Sequence, residues 1–171
     1  MCNCGKNRQP NPQPVTHAQP TPIRTAIAFR PSVSVEDPAT WGPTLWKILH
    51  TLAEFSDRPR IITHWNSVVR VLLTTIPCPQ CRLHYSQYVK ANPLRMNVAQ
   101  DAIQPYIVTY FFDMHTNVNT INNKPLATTD VLPKGDRQQL LTDLAADIQT
   151  VGRSFGGRFI NSIRTLVRVL S

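Results

Sequence analysis

The chain has 171 residues, of which 42% are hydrophobic, and it carries a formal net charge of +8 at pH 7. This length and composition suit one domain with a substantial core. Its longest apolar stretches, such as residues 107–112, are too short to span a membrane. Four cysteines form two close pairs, Cys2/Cys4 and Cys78/Cys81, which argues against the spread disulfide framework of a small secreted module.

Residues 1–36 are rich in proline and predict a disordered arm. Proline removes a backbone donor and favours extended conformations, and this segment offers little apolar surface to bury. The first 30 residues lack the apolar core of a signal peptide, so we expect no export by the usual route. Cys2 and Cys4 lie at the tip of this arm, which could carry them over tens of ångströms.

Two amphipathic helices are predicted next. Asp37 can cap the first helix with Pro38 at its first position, although Pro43 offers an alternative start. Apolar side chains then recur at steps of three and four residues, as on the buried face of a helix. In the first helix these are Trp46, Ile48, Leu49, Leu52, Ala53 and Phe55, and in the second Ile61, Ile62, Trp65, Val68, Val69, Leu72 and Leu73.

Two further helices follow the loop that Pro77 closes. The third is predicted from Cys78 to about Ala91, before Asn92-Pro93, and the fourth from about Asn97 to Asn122, interrupted or bent at Pro105. The inward positions of the fourth helix are Ile107, Tyr110, Phe111, Met114 and Val118. Four antiparallel helices of this size predict an all-α fold, an up-down four-helix bundle over residues 37–125.

Residues 126–171 predict a basic C-terminal extension of one or two helices. One helix would cover residues 134–150, and Gly152, Gly156 and Gly157 would then break the chain. A last helix would carry one apolar stripe, formed by Phe159, Ile163, Leu166 and Leu170. Such a stripe favours a docking face for the bundle or for a partner subunit, with a membrane-surface helix as the alternative.

The last part of this extension, residues 148–171, carries half of the net charge. Arg153, Arg158, Arg164 and Arg168 contribute it, because no acidic residue follows Asp147. The alternatives are a solvated basic tail and a surface for an anionic partner, either nucleic acid or a membrane. Since the tail lacks interleaved aromatic residues for base stacking, we expect no nucleic-acid partner.

A Cys-x-x-Cys alone could be a redox dithiol, half of a zinc site or two inert thiols. Here two other motifs flank it. The three motifs are Trp41-Gly42-x-x-x-Trp46-x-x-x-His50-Thr51, Cys78-Pro79-Gln80-Cys81, and His115-x-x-Val118-Asn119 followed by Lys124-Pro125. Together they resemble the Erv/ALR family of FAD-dependent sulfhydryl oxidases, and the resemblance covers roughly residues 41–125.

The resemblance implies that the bundle binds FAD. Cys78 would exchange with an incoming dithiol, and Cys81 would lie beside the flavin and pass it the electron pair. Placement at a helix N-terminus fits this chemistry, because the partial positive charge there favours a thiolate. The residues implied to contact FAD are Gly42, Trp46, His50, Phe55, Tyr85, His115, Val118, Asn119 and Lys124.

The resemblance also implies the partners. Thiol-containing proteins would be the substrates, and molecular oxygen would be reduced to hydrogen peroxide. Cys2 and Cys4 would form a shuttle pair, with a dispensable terminus or a modified cysteine as the alternative, and the first helices would form a homodimer. A cytoplasmic location is expected, in an infected cell or a virion if the chain is viral, with the mitochondrial intermembrane space as the alternative.

The main rival is a zinc-binding basic interaction protein with Cys2, Cys4, Cys78 and Cys81 as four ligands. A Cys-x-Cys on a disordered arm is a poor half of such a site, so we expect no metal. The chain also departs from the family pattern. Cellular members have further cysteines after the Lys-Pro element that tie down the C-terminal segment, and this chain has none.

Overall fold

The computed structural model describes residues 37–171, and every regular element within that range is helical. The all-α prediction is therefore confirmed for this part of the chain. None of the helices within it is long and apolar enough to cross a membrane. The helices are α1 (Pro38–Glu54), α2 (Ile61–Thr75), α3 (Pro79–Ala91), α4 (Ile103–Ile121) and α5 (Arg137–Leu170), with short 3-10 turns at Gln100–Ala102 and Thr129–Val131.

Local signals explain where α1 and α3 begin. Asp37 Oδ1 accepts a hydrogen bond from the N–H of Ala39 at 2.9 Å, and Pro38 occupies the first helical position. Cys78 caps α3 in the same manner, because its sulfur accepts from the N–H of Cys81 at 3.1 Å. The helix α1 starts at Pro38 and continues through Pro43, so the later start is not used.

The fourth helix differs from its prediction at its beginning. It starts at Ile103 after the 3-10 turn, several residues later than predicted. Pro105 therefore lies in the first turn, where a helix leaves the N–H groups unpaired in any case. This position explains why the predicted interruption or bend at Pro105 does not occur.

The core joins α1, α2, α4 and α5. Trp65 of α2 is fully buried, packs against Phe111 of α4 with ring centroids 4.6 Å apart, and donates its indole N–H to Ser56 Oγ at 2.7 Å. Ser56 in turn donates to the carbonyl of Leu52 at 2.9 Å. The buried polar groups of this junction are thus paired, which spares the cost of leaving them unsatisfied.

The long helix α5 is a hairpin of two helical segments that meet at Gly156. This glycine has a φ of +79°, which a residue with a side chain rarely adopts, and the chain reverses there. Near the turn the segments approach so closely that a Cβ at Gly152 would lie 2.4 Å from Ile160 Cδ1. Gly152 and Gly157 stay helical, so the predicted break occurs at one glycine of the three.

The hairpin packs against α1 and α2. Its second segment buries the predicted apolar stripe, formed by Phe159, Ile163, Leu166 and Leu170, in the common core. The stripe is therefore a docking face for the helices of this chain and is not available as a membrane-surface helix.

Arg137 fastens the two ends of the hairpin to the end of α1. Its guanidinium donates to both carboxylate oxygens of Asp57, at 2.9 and 3.2 Å, and to the carbonyl of Leu170 at 2.7 Å. It also lies over the ring of Phe55, 5.2 Å from the centroid. The half-buried guanidinium of Arg137 thus links the first and last turns of α5 to the loop after α1.

Candidate functional site

A cavity of about 620 Å³ opens between α1, α3 and α4. Its volume falls in the range of roughly 300–1,000 Å³ that is typical of small-molecule sites. Ten of the residues singled out from the sequence line it together: Gly42, Trp46, His50, Cys78, Cys81, Tyr85, His115, Val118, Asn119 and Lys124.

Cys78 and Cys81 form a disulfide at the N-terminus of α3, with their Cα atoms 5.2 Å apart. Cys78 is 7% exposed and Cys81 is half-buried. The loop before them is held by Arg82, whose guanidinium donates to the carbonyl of Ile76 at 2.8 Å. The redox-capable pair is therefore fixed at the cavity wall by the helix cap and by this loop contact.

An aromatic cluster faces the cavity from α1 and α4. Trp46 and His115 stack with ring centroids 4.2 Å apart and planes 8° from parallel. His50, one turn after Trp46, lies 5.8 Å from the Trp46 ring. Three flat side chains from two helices thus form one layered wall.

The two imidazoles of this cluster are hydrogen-bonded to each other. His50 Nε2 and His115 Nδ1 lie 3.0 Å apart, and one of them donates. Burial, and then the nearby His115, lowers the pKa of His50 to about 4. Burial, and then the cation of Lys124, lowers the pKa of His115. Both rings are therefore neutral at pH 7, and each can act as a donor and an acceptor.

A buried polar atom of the cluster has no partner among the described residues. His50 is only 1% exposed, and its Nδ1 makes no hydrogen bond with any group within the described residues. A buried polar atom without a partner is costly and calls for an explanation. A ligand bound in the cavity that His50 lines would supply the missing partner.

The end of α4 and the loop after it close one side of the cavity. Asn119 Nδ2 donates to the carbonyl of Pro125 at 2.9 Å, and the N–H of Lys124 donates to the carbonyl of Asn119 at 2.9 Å. These bonds fold the loop back so that Val118, Asn119 and Lys124 line the same side. Lys124 brings the positive charge of this side.

Gly42 and Tyr85 border the cavity for different reasons. A Cβ at Gly42 would meet no atom within 4 Å, so bare backbone faces open space there. Tyr85 is buried, donates its hydroxyl to the carbonyl of Val69 at 3.0 Å, and has a pKa that burial raises well above its usual value. Tyr85 therefore acts as a neutral, apolar wall.

Among the described residues that were predicted to contact FAD, Phe55 alone does not line this cavity. It ends α1 and packs against Arg137 on another side of the molecule. Cys2 and Cys4 lie outside the described residues.

Sequence reasoning also missed part of the lining, above all the apolar side chains Leu49, Leu72, Ile76, Met114 and Val131 and the polar pair Gln80 and His84. The apolar ones carry no signal that distinguishes them from ordinary core.

The structure describes two of the four ligands that the zinc alternative needs, Cys78 and Cys81. Cys78 and Cys81 are joined to each other, so neither sulfur is a thiolate that could ligate a metal. Within residues 37–171 no group of three or more His, Cys, Asp or Glu side chains could hold a metal ion.

Comparisons with known proteins agree with the motifs. The model of the Erv1 / Alr family matches residues 43–138. Two FAD-linked sulfhydryl oxidases of African swine fever virus, one from a pig isolate in Kenya and one from a warthog isolate in Namibia, are each 34% identical to this chain over 89 residues. That alignment covers 50% of this chain and 71% of each relative. No solved structure matches the chain significantly.

The family match covers more than half of the chain and includes the disulfide, both histidines and the loop that carries Lys124. Each of the two viral relatives is covered over 71% of its own length at 34% identity. The chain therefore belongs to the Erv1/Alr family.

Proposed function

We propose that this chain is an FAD-linked sulfhydryl oxidase that makes disulfides in protein substrates and passes the electrons through Cys78 and Cys81 to FAD and then to oxygen, giving hydrogen peroxide. The observation that carries the proposal is that the Cys78–Cys81 disulfide and the His50–His115 pair line one cavity. Family membership and the names of the viral relatives support it.

The described residues fit a flavin nucleotide. The layered wall of Trp46, His50 and His115 suits a flat ring system. The unpartnered Nδ1 of His50 can pair with a polar atom of such a ligand, and Lys124 can attract an anionic phosphate. When bound, FAD supplies a two-electron acceptor that oxygen can reoxidise.

The disulfide itself performs the first half of the reaction. A substrate thiolate attacks Cys78 Sγ, and the sulfur of Cys81 leaves as a thiolate. The second substrate thiolate then attacks the substrate sulfur of the mixed disulfide, so Cys78 leaves and the substrate disulfide forms. The substrate loses two electrons and two protons, and Cys78 and Cys81 become a dithiol.

The helix cap favours the second of these steps. The N–H of Cys81 lies 3.1 Å from Cys78 Sγ, so it is placed to stabilise negative charge on the leaving sulfur. Exposure favours Cys81 as the point of entry, since Cys78 is the more buried sulfur. The assignment of Cys78 to substrate exchange thus rests on the family pattern, and its test is given below.

Two parts of the proposal concern the setting of the enzyme. We place its activity outside the secretory pathway, in the cytoplasm of an infected cell or in a virion, with the mitochondrial intermembrane space as the alternative. The homodimer stays a prediction. Because α5 packs on both α1 and α2, a dimer through these helices must use the surfaces that α5 leaves uncovered.

The experiment that tests the function is the absorbance spectrum of the purified protein together with oxygen consumption on addition of dithiothreitol. We expect a yellow protein with a flavin band at about 450 nm, and one hydrogen peroxide for each dithiol oxidised. A colourless protein that stays inactive after incubation with FAD contradicts the proposal.

A further inference from the structure

The second segment of α5 presents a basic face on the side opposite its buried stripe. Arg158, Arg164 and Arg168 are all exposed there, at helical spacings that place them on one side of the segment. Asn161 and Thr165, also exposed, lie between them. We call these five residues the basic face.

The charge of this face is not neutralised by its surroundings. No ion pair joins any of the three arginines to a carboxylate in the part of the chain that the structure describes. The nearest acidic residue along the chain, Asp147, instead pairs with Lys47 of α1 at 2.8 Å. Three guanidinium groups with free donors on one rigid helix attract a partner that carries regularly spaced anions.

We propose that the basic face binds the phosphate backbone of double-stranded nucleic acid. From Arg158 to Arg168 the helix rises about 15 Å, since each residue adds about 1.5 Å. Along one strand of a duplex, this length spans about four phosphates, at about 3.4 Å of axis each. Arginine suits phosphate because its planar fork can donate two hydrogen bonds to it.

The residues between the arginines fit the same partner. The amide of Asn161 and the hydroxyl of Thr165 are among the neutral groups that commonly donate to phosphate oxygens. No aromatic side chain lies on the basic face. The expectation from the sequence that no nucleic acid binds rests on this lack of residues for base stacking, which serves the binding of single strands. A duplex keeps its bases stacked inside and is bound without stacking on the protein, so this objection does not apply to it.

The structure disfavours a membrane as the partner. A helix that lies in a membrane surface inserts its apolar side, but Phe159, Ile163 and Leu166 of this segment are fully buried in the protein core. The basic face itself holds no apolar residue that could enter the lipid. Only electrostatic attraction to headgroups would remain.

The test measures binding of the full chain to a fluorescent duplex of about 20 base pairs by anisotropy, across roughly 50–200 mM salt. The variant is the triple change Arg158→Ala, Arg164→Ala and Arg168→Ala. The matched control is Arg70→Ala, Lys90→Ala and Arg95→Ala, which removes the same charge from other exposed positions. Circular dichroism and dithiothreitol oxidation show that both variants are folded and active.

We expect the basic-face variant to bind the duplex at least roughly tenfold more weakly and to lower the salt slope by about 2 to 3, because three phosphate contacts are lost. The control should stay within about threefold of the unmodified protein. Absence of duplex binding by the unmodified protein overturns the proposal. Equal weakening by the two variants also overturns it, because binding would then depend only on net charge. Binding to phosphatidylserine vesicles without binding to the duplex would assign the face to a membrane instead.

Discussion

Trp46 of α1 and His115 of α4 stack almost parallel, with ring centroids 4.2 Å apart, although 69 positions separate them in the chain. The hydrogen bond between His50 and His115 joins the same two helices, 3.0 Å long. The two contacts fix how α1 and α4 approach each other at the cavity that the disulfide also lines. The shape of the cavity therefore depends on these three side chains.

The first prediction concerns the two cysteines. Cys78→Ser and Cys81→Ser should each abolish dithiothreitol oxidation, because neither variant can hold the disulfide that accepts electrons. If Cys78 is the entry point, only Cys81→Ser should form a mixed disulfide with a small disulfide probe, whose second half leaves as a thiolate. Cys78→Ser should keep a Cys81 thiolate that gives a long-wavelength absorbance band with FAD. Mass spectrometry and the spectrum decide between the sulfurs. Normal turnover in either variant contradicts the proposed route.

The second prediction concerns the cavity. His50→Ala, His115→Ala and Asn119→Ala should each weaken FAD retention, since each removes a polar group from a mostly apolar wall. The melting temperature should fall with flavin content and recover when FAD is added, because a bound ligand stabilises the folded state by mass action. Phe55→Leu is the matched control, since Phe55 lies outside the cavity. Greater loss of FAD in that control than in the three variants would show that the cavity is not the flavin site.

The third prediction concerns pH. The pKa of His50 falls from 6.5 to about 4 on folding, so between these values the unfolded chain holds a proton that the folded chain lacks. Above pH 6.5 His50 is neutral in both states, and its contribution to the free energy of unfolding is fully present. As the pH falls from 6.5 towards about 4, that contribution is lost, and the free energy of unfolding decreases by at most about 3 kcal/mol. Urea unfolding of the flavin-free protein at several pH values measures this loss. His50→Gln should flatten the curve, and an unchanged pH dependence would contradict the assignment.

The fourth prediction concerns Arg137. Arg137→Ala should lower the free energy of unfolding by about 1–3 kcal/mol, because it leaves the carbonyl of Leu170 and the carboxylate of Asp57 without their donor. Arg137→Lys should recover part of the loss, since a lysine cannot make the paired contact with the carboxylate. Lys134→Ala is the control, because its ion pair with Asp130 is fully exposed and worth little. Equal stability of Arg137→Ala and the control would contradict a clamping role.

The fifth prediction concerns Cys2 and Cys4. If they relay electrons, the double change Cys2→Ser and Cys4→Ser should slow oxidation of a folded protein substrate and leave dithiothreitol turnover nearly unchanged. A small dithiol can reach the buried disulfide directly, whereas a bulky substrate gains from a tethered intermediary. Parallel assays of the two substrates test the difference. Deletion of residues 1–36 should give the same result, and equal responses of the two rates would make the pair a dispensable terminus.

The sequence predicted the helices well where a local signal marks an end. Asp37 before Pro38, and Cys78 before Pro79, are caps whose geometry depends on neighbouring residues alone. The predicted start of α4 was wrong by several residues. The polar residues before Ile103 also fit a helical pattern, and no capping side chain marks the observed start of the helix.

The candidate site was only partly predictable. Polar and aromatic residues such as His50 and His115 stand out within a motif, and the structure brings them together. Leu49, Leu72 and Met114 line the same cavity but have the periodicity of ordinary core residues. A hydrophobic pattern does not distinguish a helix face that lines a cavity from a face that packs in the core, because both faces consist of the same residue types.

The hairpin of α5 was predicted only as separate helices, because three glycines offered breaks and only the tertiary packing selects one of them. Gly156 takes the left-handed conformation at the turn, while Gly152 makes room for Ile160. Both uses of glycine look alike in a sequence, since each depends on contacts between distant residues.

The segment that matches the family model is shorter than the segment that forms the core. The family match ends at residue 138, one residue after Arg137, whose side chain contacts Leu170 at the other end of the hairpin. Residues beyond that point supply Val151, Phe155, Phe159 and Ile163 to the core shared with α1 and α2. A fragment trimmed to the family boundary would therefore uncover the apolar sides of both helices, so this protein must be expressed and truncated according to its packing and not according to its homology.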